Sequence, residues 1–135
     1  MNVRILIVED EGLIALHISE MLAHAGYEVL EPLPSGEEAI EYLTGTPHPG
    51  LILMDIGLAG KINGIETARR IRELADIPVI FLTAYSDQSR IREAAEVSPY
   101  GRLMKPFTER DLIAAVEAAL LRSGQKTPGG ITAKK

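Results

Sequence analysis

A three-layer αβα sandwich built on a five-stranded parallel sheet is the fold this sequence predicts, and three observations predict it. Short runs rich in Ile, Val and Leu recur five times along the 135 residues. They lack strict polar alternation, as strands covered on both faces should. Amphipathic stretches of helical period separate them, and connections this short imply right-handed βα crossovers.

The first run, Val3 to Val8, ends on the acids Glu9 and Asp10. Ile14, Ile18, Met21 and Leu22 then fall on one helical face, and Gly26 marks the stop. The second run spans Tyr27 to Leu33. Ser35-Gly-Glu-Glu38 reads as a capping box opening the second helix, which Gly45 and the Pro47/Pro49 pair close. Leu51 to Met54 is the third run and stops on Asp55. Ile65, Ala68 and Ile71 share a face of the third helix. Ile77 to Leu82 runs into Thr83, and a short fifth run around Leu103 and Met104 leads to Lys105. Thr108 followed by Asp111 opens the last helix, Leu112 to Leu121. These elements make one domain over residues 1–122. Residues 123–135, SGQKTPGGITAKK, have no periodicity and read as a disordered tail or truncated linker.

Composition narrows the function. An apolar fraction of 46% with 24% charged residues is that of an ordinary globular domain. No stretch approaches the roughly 18 apolar residues of a membrane span. With no cysteine and no export signal at the start, the expected location is the cytoplasm. A net charge of −5 argues against a direct grip on nucleic acid, which needs a clustered basic surface. The scattered histidines His17, His24 and His48 have no metal-ligand spacing.

The ends of the apolar runs carry the chemistry. In an open parallel sheet the carboxyl ends of the strands lie along one edge, where ligands bind. Glu9, Asp10, Asp55, Thr83 and Lys105 are all expected there. Each alone has a plain structural reading, since acids at strand ends often cap helices and a lysine often sits in water. Together they form a site. Clustered carboxylates favour a hard divalent cation, and Mg²⁺ suits a few carboxylates with retained waters, with Asp10 and Asp55 as direct ligands. Such an ion would offset the charge of an incoming phosphoryl group, with Thr83 and Lys105 meeting its other oxygens. Asp55 is thereby equipped as an acyl-phosphate acceptor.

These motifs, IVEDE, LILMDIGL followed by NGIE, VIFLTAYSD and LMKPF, resemble the receiver domains of two-component response regulators over about Val3 to Leu121. The resemblance implies a flavodoxin-like sheet order of 2-1-3-4-5 and a phosphorylated Asp55. It also implies Mg²⁺ held by Glu9, Asp10, Asp55 and the backbone carbonyl of Gly57, a switch hydroxyl on Thr83, a phosphoryl-contacting Lys105 and a cis bond between Lys105 and Pro106. The implied partners are a sensor histidine kinase or histidine phosphotransfer protein, with a partner or homodimer face near Tyr100 and Arg102. Such a chain is a signalling switch that supports its own phosphorylation and slow dephosphorylation, not a classical enzyme.

Three departures from the pattern stand out. Ala59 replaces the proline common four residues past the acceptor, in a loop one residue longer than usual. Arg102 replaces the usual aromatic switch residue, with Tyr100 two residues earlier. No output domain follows Leu121, as expected of a single-domain regulator or a chain cut at its linker. Tyr85, two residues past Thr83, is expected to lean over the site and shield a phosphoryl group from water.

Rival readings are weaker on specific residues. A haloacid-dehalogenase-type phosphatase needs a second acid two residues past the nucleophile, where this chain has Gly57. A flavodoxin-like electron carrier needs donors for the flavin phosphate, and EDEG after the first run presents negative charge. A pseudo-receiver acting only as a binding module would not need the complete acceptor set.

Overall fold

The computed structural model describes residues 3–45, 47–97 and 99–125. Its strands are β1 (Arg4–Val8), β2 (Glu28–Val29), β3 (Leu51–Asp55), β4 (Val79–Thr83) and β5 (Gly101–Met104). They form one parallel sheet in the order β2-β1-β3-β4-β5. The helices are α1 (Gly12–His24), α2 (Gly36–Gly45), α3 (Gly64–Leu74), α4 (Ile91–Glu96) and α5 (Glu109–Ser123), with a 3-10 turn, Tyr85–Arg90, leading into α4.

Alternate strand residues feed two separate cores, which explains the lack of polar alternation. Ile5, Ile7, Leu51, Leu53, Ile80 and Leu82 pack under α1 and α5. Leu6, Val8, Ile52, Met54, Val79 and Phe81 pack under α2, α3 and α4. Both faces are therefore dry, and every residue of β3 and β4 is buried, Asp55 and Thr83 included.

Local signals act much as the sequence suggests. Thr108 Oγ1 accepts from Asp111 N–H at 3.0 Å while the Asp111 carboxylate accepts from Thr108 N–H at 3.2 Å, a complete capping box. At α2 the box is half made: Glu38 N–H donates to Ser35 Oγ, but the Glu38 carboxylate takes the Ser35 hydroxyl instead of its N–H. Asn63 caps α3 by accepting from Glu66 N–H at 2.9 Å.

The second strand is shorter than its apolar run. Only Glu28 and Val29 pair with β1, and a single bridge from Val8 to Leu33 resumes contact further on. Pro32, which has no N–H, stands between them. The last helix is longer than expected: it runs through Ser123, ends on Gly124 at φ +85°, and Gln125 donates to Gly50 O at 2.8 Å. Those first tail residues thus belong to the fold. The rest of the expected tail, 126–135, lies outside the described residues.

Candidate functional site at the carboxyl edge of the sheet

The sheet order places β1 and β4 on either side of β3, so their carboxyl ends converge on Asp55. Glu9, Asp10 and Asp55 each offer one carboxylate oxygen, and these oxygens lie within 4.8 Å of one another. Lys105 reaches in from the end of β5. Its ammonium donates to Glu9 Oε1 at 2.8 Å and lies 3.5 Å from Asp55 Oδ1. The Lys105–Pro106 peptide bond is cis.

Each carboxylate has a different set of partners. Glu9 is 2% exposed and fully engaged: Oε1 meets Lys105, and Oε2 accepts from Glu11 N–H at 3.2 Å. Asp55 Oδ1 accepts from Gly57 N–H at 3.2 Å. Asp10 is exposed, and its Oδ2 accepts from Ala59 N–H at 3.2 Å. A proline at 59 could not donate that bond. The departure at Ala59 therefore ties the loop after Asp55 directly to Asp10.

Burial dominates the proton affinities. It pushes Glu9 up to about 7, against the pull of its bond to Lys105. Burial also raises Asp55, while the Lys105 charge and the Gly57 amide pull it back. For Lys105, burial works to lower the pKa, but the Glu9 bond and the Asp55 charge outweigh it and the net direction is up. Two buried carboxylates beside one ammonium make a site short of positive charge. The donor set is all oxygen and anionic, which fits a hard divalent cation such as Mg²⁺.

The wall behind the site is backbone. Gly64 N–H donates to Ile56 O at 3.0 Å, and a Cβ on Gly64 would stand 2.1 Å from Asp55 O, so only glycine lets α3 come this close. Glu37 on α2 accepts from Lys61 N–H at 2.8 Å and steadies the far end of the same loop, where Gly60 sits at φ +112°.

Thr83 is wholly buried, and its hydroxyl points to Met104 Sδ at 4.0 Å. Its carbonyl accepts from Lys105 N–H at 2.7 Å, tying β4 to the lysine. Arg102 sits opposite Phe81 in β5 and is exposed. Tyr100 is half-buried, with the Arg122 guanidinium 5.0 Å from its ring centre. Neither belongs to the carboxylate cluster. The expected shield is absent: Tyr85 is 84% exposed and stands in solvent, because the 3-10 turn carries it outward.

Sequence reasoning missed Asp87. It lies in the 3-10 turn, is 7% exposed, and accepts from Ala84 N–H at 2.8 Å. A Cβ placed on Gly57 would be 3.6 Å from Asp87 Oδ1 and 3.9 Å from Asp55 Oδ1. Asp87 thus borders the site from the side opposite Asp10.

Comparison with known proteins gives matches over most of the chain. The response regulator receiver domain family matches residues 5–117. The transcriptional regulatory protein PdtaR of Mycobacterium tuberculosis is 37% identical over 119 residues, covering 88% of this chain and 57% of that protein. The phyllosphere-induced regulator PhyR of Methylorubrum extorquens is 33% identical over 120 residues, 89% of this chain and 44% of that one. This chain thus spans about half the length of these relatives. The N-terminal domain of a response regulator/sensory box/GGDEF three-domain protein from Carboxydothermus hydrogenoformans superposes with a TM-score of 0.81 at 40% identity, covering 89% of this chain and 96% of that one.

Proposed function

Since this chain belongs to the response regulator receiver domain family, we propose that it is a phosphorylation-dependent switch whose acceptor is Asp55. The observation that carries the reading is Lys105 held between Glu9 and Asp55, with Asp10 completing a three-carboxylate cluster. Asp10, Asp55 and the Gly57 carbonyl would hold Mg²⁺, with Glu9 acting behind them. The bound ion supplies charge neutralisation for the transferred group.

The transfer needs little covalent help from the protein. An Asp55 carboxylate oxygen attacks phosphorus and forms an acyl-phosphate P–O bond, while the bond from phosphorus to the donor breaks and its electron pair leaves with the donor. Lys105 is 3.5 Å from Asp55 Oδ1 and turns from Glu9 toward the new negative oxygens. Thr83, one register step away on β4, offers its hydroxyl to another once it leaves Met104. Donors would be a sensor histidine kinase or a histidine phosphotransfer protein. A groove of about 600 Å³ beside Lys105, lined by Leu13, Ile14, His17 and Phe107, leaves room for such a partner, and Leu13 is 84% exposed there. A binding module that is never phosphorylated is the second reading, and a phosphatase the third.

The test is incubation with Mg²⁺ and acetyl phosphate, read by intact mass. A stoichiometric gain of one phosphoryl group, mapped to the Asp55 peptide and lost in Asp55→Asn, is the expected result. No gain would favour the binding module, and steady phosphate release over many turnovers the phosphatase.

A further inference from the structure

Asp87 is a buried carboxylate that the phosphorylation chemistry does not use. Its Oδ2 is satisfied by Ala84 N–H, the amide directly after Thr83, and its Oδ1 faces the space beside Gly57, across which lies Asp55 Oδ1. Because residue 57 is glycine, no side chain separates the two acids. A structural cap alone would not need a charge, since the amide of asparagine caps a turn equally well. Nor does a pairing cation explain it: Lys105 serves Glu9 and Asp55, and among the described residues no salt bridge involves Asp87.

We propose that Asp87 is a positioning residue of the acceptor site, whose buried carboxylate opposes the negative charge a phosphoryl group brings to Asp55 and links that charge to the turn after Thr83. The proposal rests on the reading of Asp55 as phosphoacceptor. A phosphoryl group adds anionic oxygens to the space that Asp87 Oδ1 faces, and like charges in a partly dry site repel with little screening. Asp87 sits in the 3-10 turn that leads to α4, and its hydrogen bond ties that turn to the end of β4. Repulsion on Asp87 therefore loads the one bond that holds the Ala84 amide. The same charge slows phosphorylation and makes the turn responsive to it.

Asparagine separates charge from cap. Asp87→Asn keeps an acceptor for Ala84 N–H, Asp87→Ala removes both, and Asp87→Ser keeps a shorter cap as a second neutral variant. With Mg²⁺ and acetyl phosphate, followed by intact mass, Asp87→Asn and Asp87→Ser should form the Asp55 phosphoprotein about fivefold faster than wild type. Their melting temperatures should stay near wild type. Asp87→Ala should also react faster, but with a lower melting temperature and faster hydrogen exchange at the Ala84 amide. Wild-type rates in both neutral capping variants would overturn the proposal and leave Asp87 a cap. An unchanged rate of formation with a longer phosphoryl lifetime would make Asp87 a base acting on water, and would overturn it too. A wild-type chain that takes up no phosphoryl group would overturn the reading of Asp55 as well, a separate and recognisable failure.

Discussion

Glu9→Gln should stabilise the metal-free protein above neutral pH, although it removes half of an ion pair. Unfolded, Glu9 titrates near 4.5; folded, burial raises it to about 7. Between those values the folded state keeps a proton that the unfolded state has lost, so stability falls as pH rises through the window. The contribution is complete below 4.5 and gone above 7. At about 1.4 kcal/mol per tenfold change in proton affinity, the interval corresponds to about 3 kcal/mol. Glutamine imitates the protonated acid at every pH and escapes this loss. Because glutamine cannot replace the charge-assisted bond to Lys105, a net gain of about 2 kcal/mol at pH 8, and about none at pH 5, is the expected result. For a domain of this size that is a rise of about 8 °C in melting temperature. Thermal unfolding of both proteins in chelator at the two pH values measures it directly. If the difference between variant and wild type is the same at pH 5 and pH 8, Glu9 does not titrate as its burial requires, and the reasoning fails.

Asp10→Asn should weaken Mg²⁺ binding more than Glu9→Gln does, because Asp10 is exposed and held by one amide whereas both Glu9 oxygens are already engaged; calorimetric titration of the two variants gives the order, and the reverse would exchange their roles. Arg102→Ala should leave the rate of Asp55 phosphorylation nearly unchanged while weakening a phospho-dependent partner or dimer contact by about 1 kcal/mol or more. Intact mass and partner affinity on that one variant decide it, and unaltered affinity would mark Arg102 as a solvated side chain. Gly64→Ala should cost about 2–3 kcal/mol in urea unfolding and slow phosphorylation, since the new methyl group meets backbone that cannot step aside.

The residues legible in the sequence were those that end an apolar run. Val8 to Glu9, Met54 to Asp55 and Leu82 to Thr83 are abrupt changes from dry to polar, and parallel topology brings such ends to one edge whatever the loops do. Asp87 gives no such signal. In YSDQ it looks like any turn acid, and its burial comes from the turn folding back over Gly57, a long-range fact. Tyr85 failed as a shield for the same reason, because a turn's path decides where its side chains point. The second strand misled by composition: Tyr27 to Leu33 is apolar enough for a strand, but Tyr27 is buried with the α1 and α5 residues and Pro32 interrupts pairing. Glu37 could have been suspected only by knowing that α2 stands beside the loop after β3.

The hydrogen bond from Gly64 N–H to Ile56 O makes the seven residues between them a closed excursion. One end follows Asp55 and the other, Gly64, packs against Asp55 O, while inside the excursion the Gly57 and Ala59 amides bond to Asp55 and Asp10, so a change in length that spares the acceptor site falls beyond Ala59. Closing a somewhat longer loop costs only a fraction of a kcal/mol, as closure entropy grows with the logarithm of length. A peptide tag or small reporter domain grafted beyond Lys61 would use that freedom, carried close to the acceptor but outside the Gly57 and Ala59 amides that bond to Asp55 and Asp10.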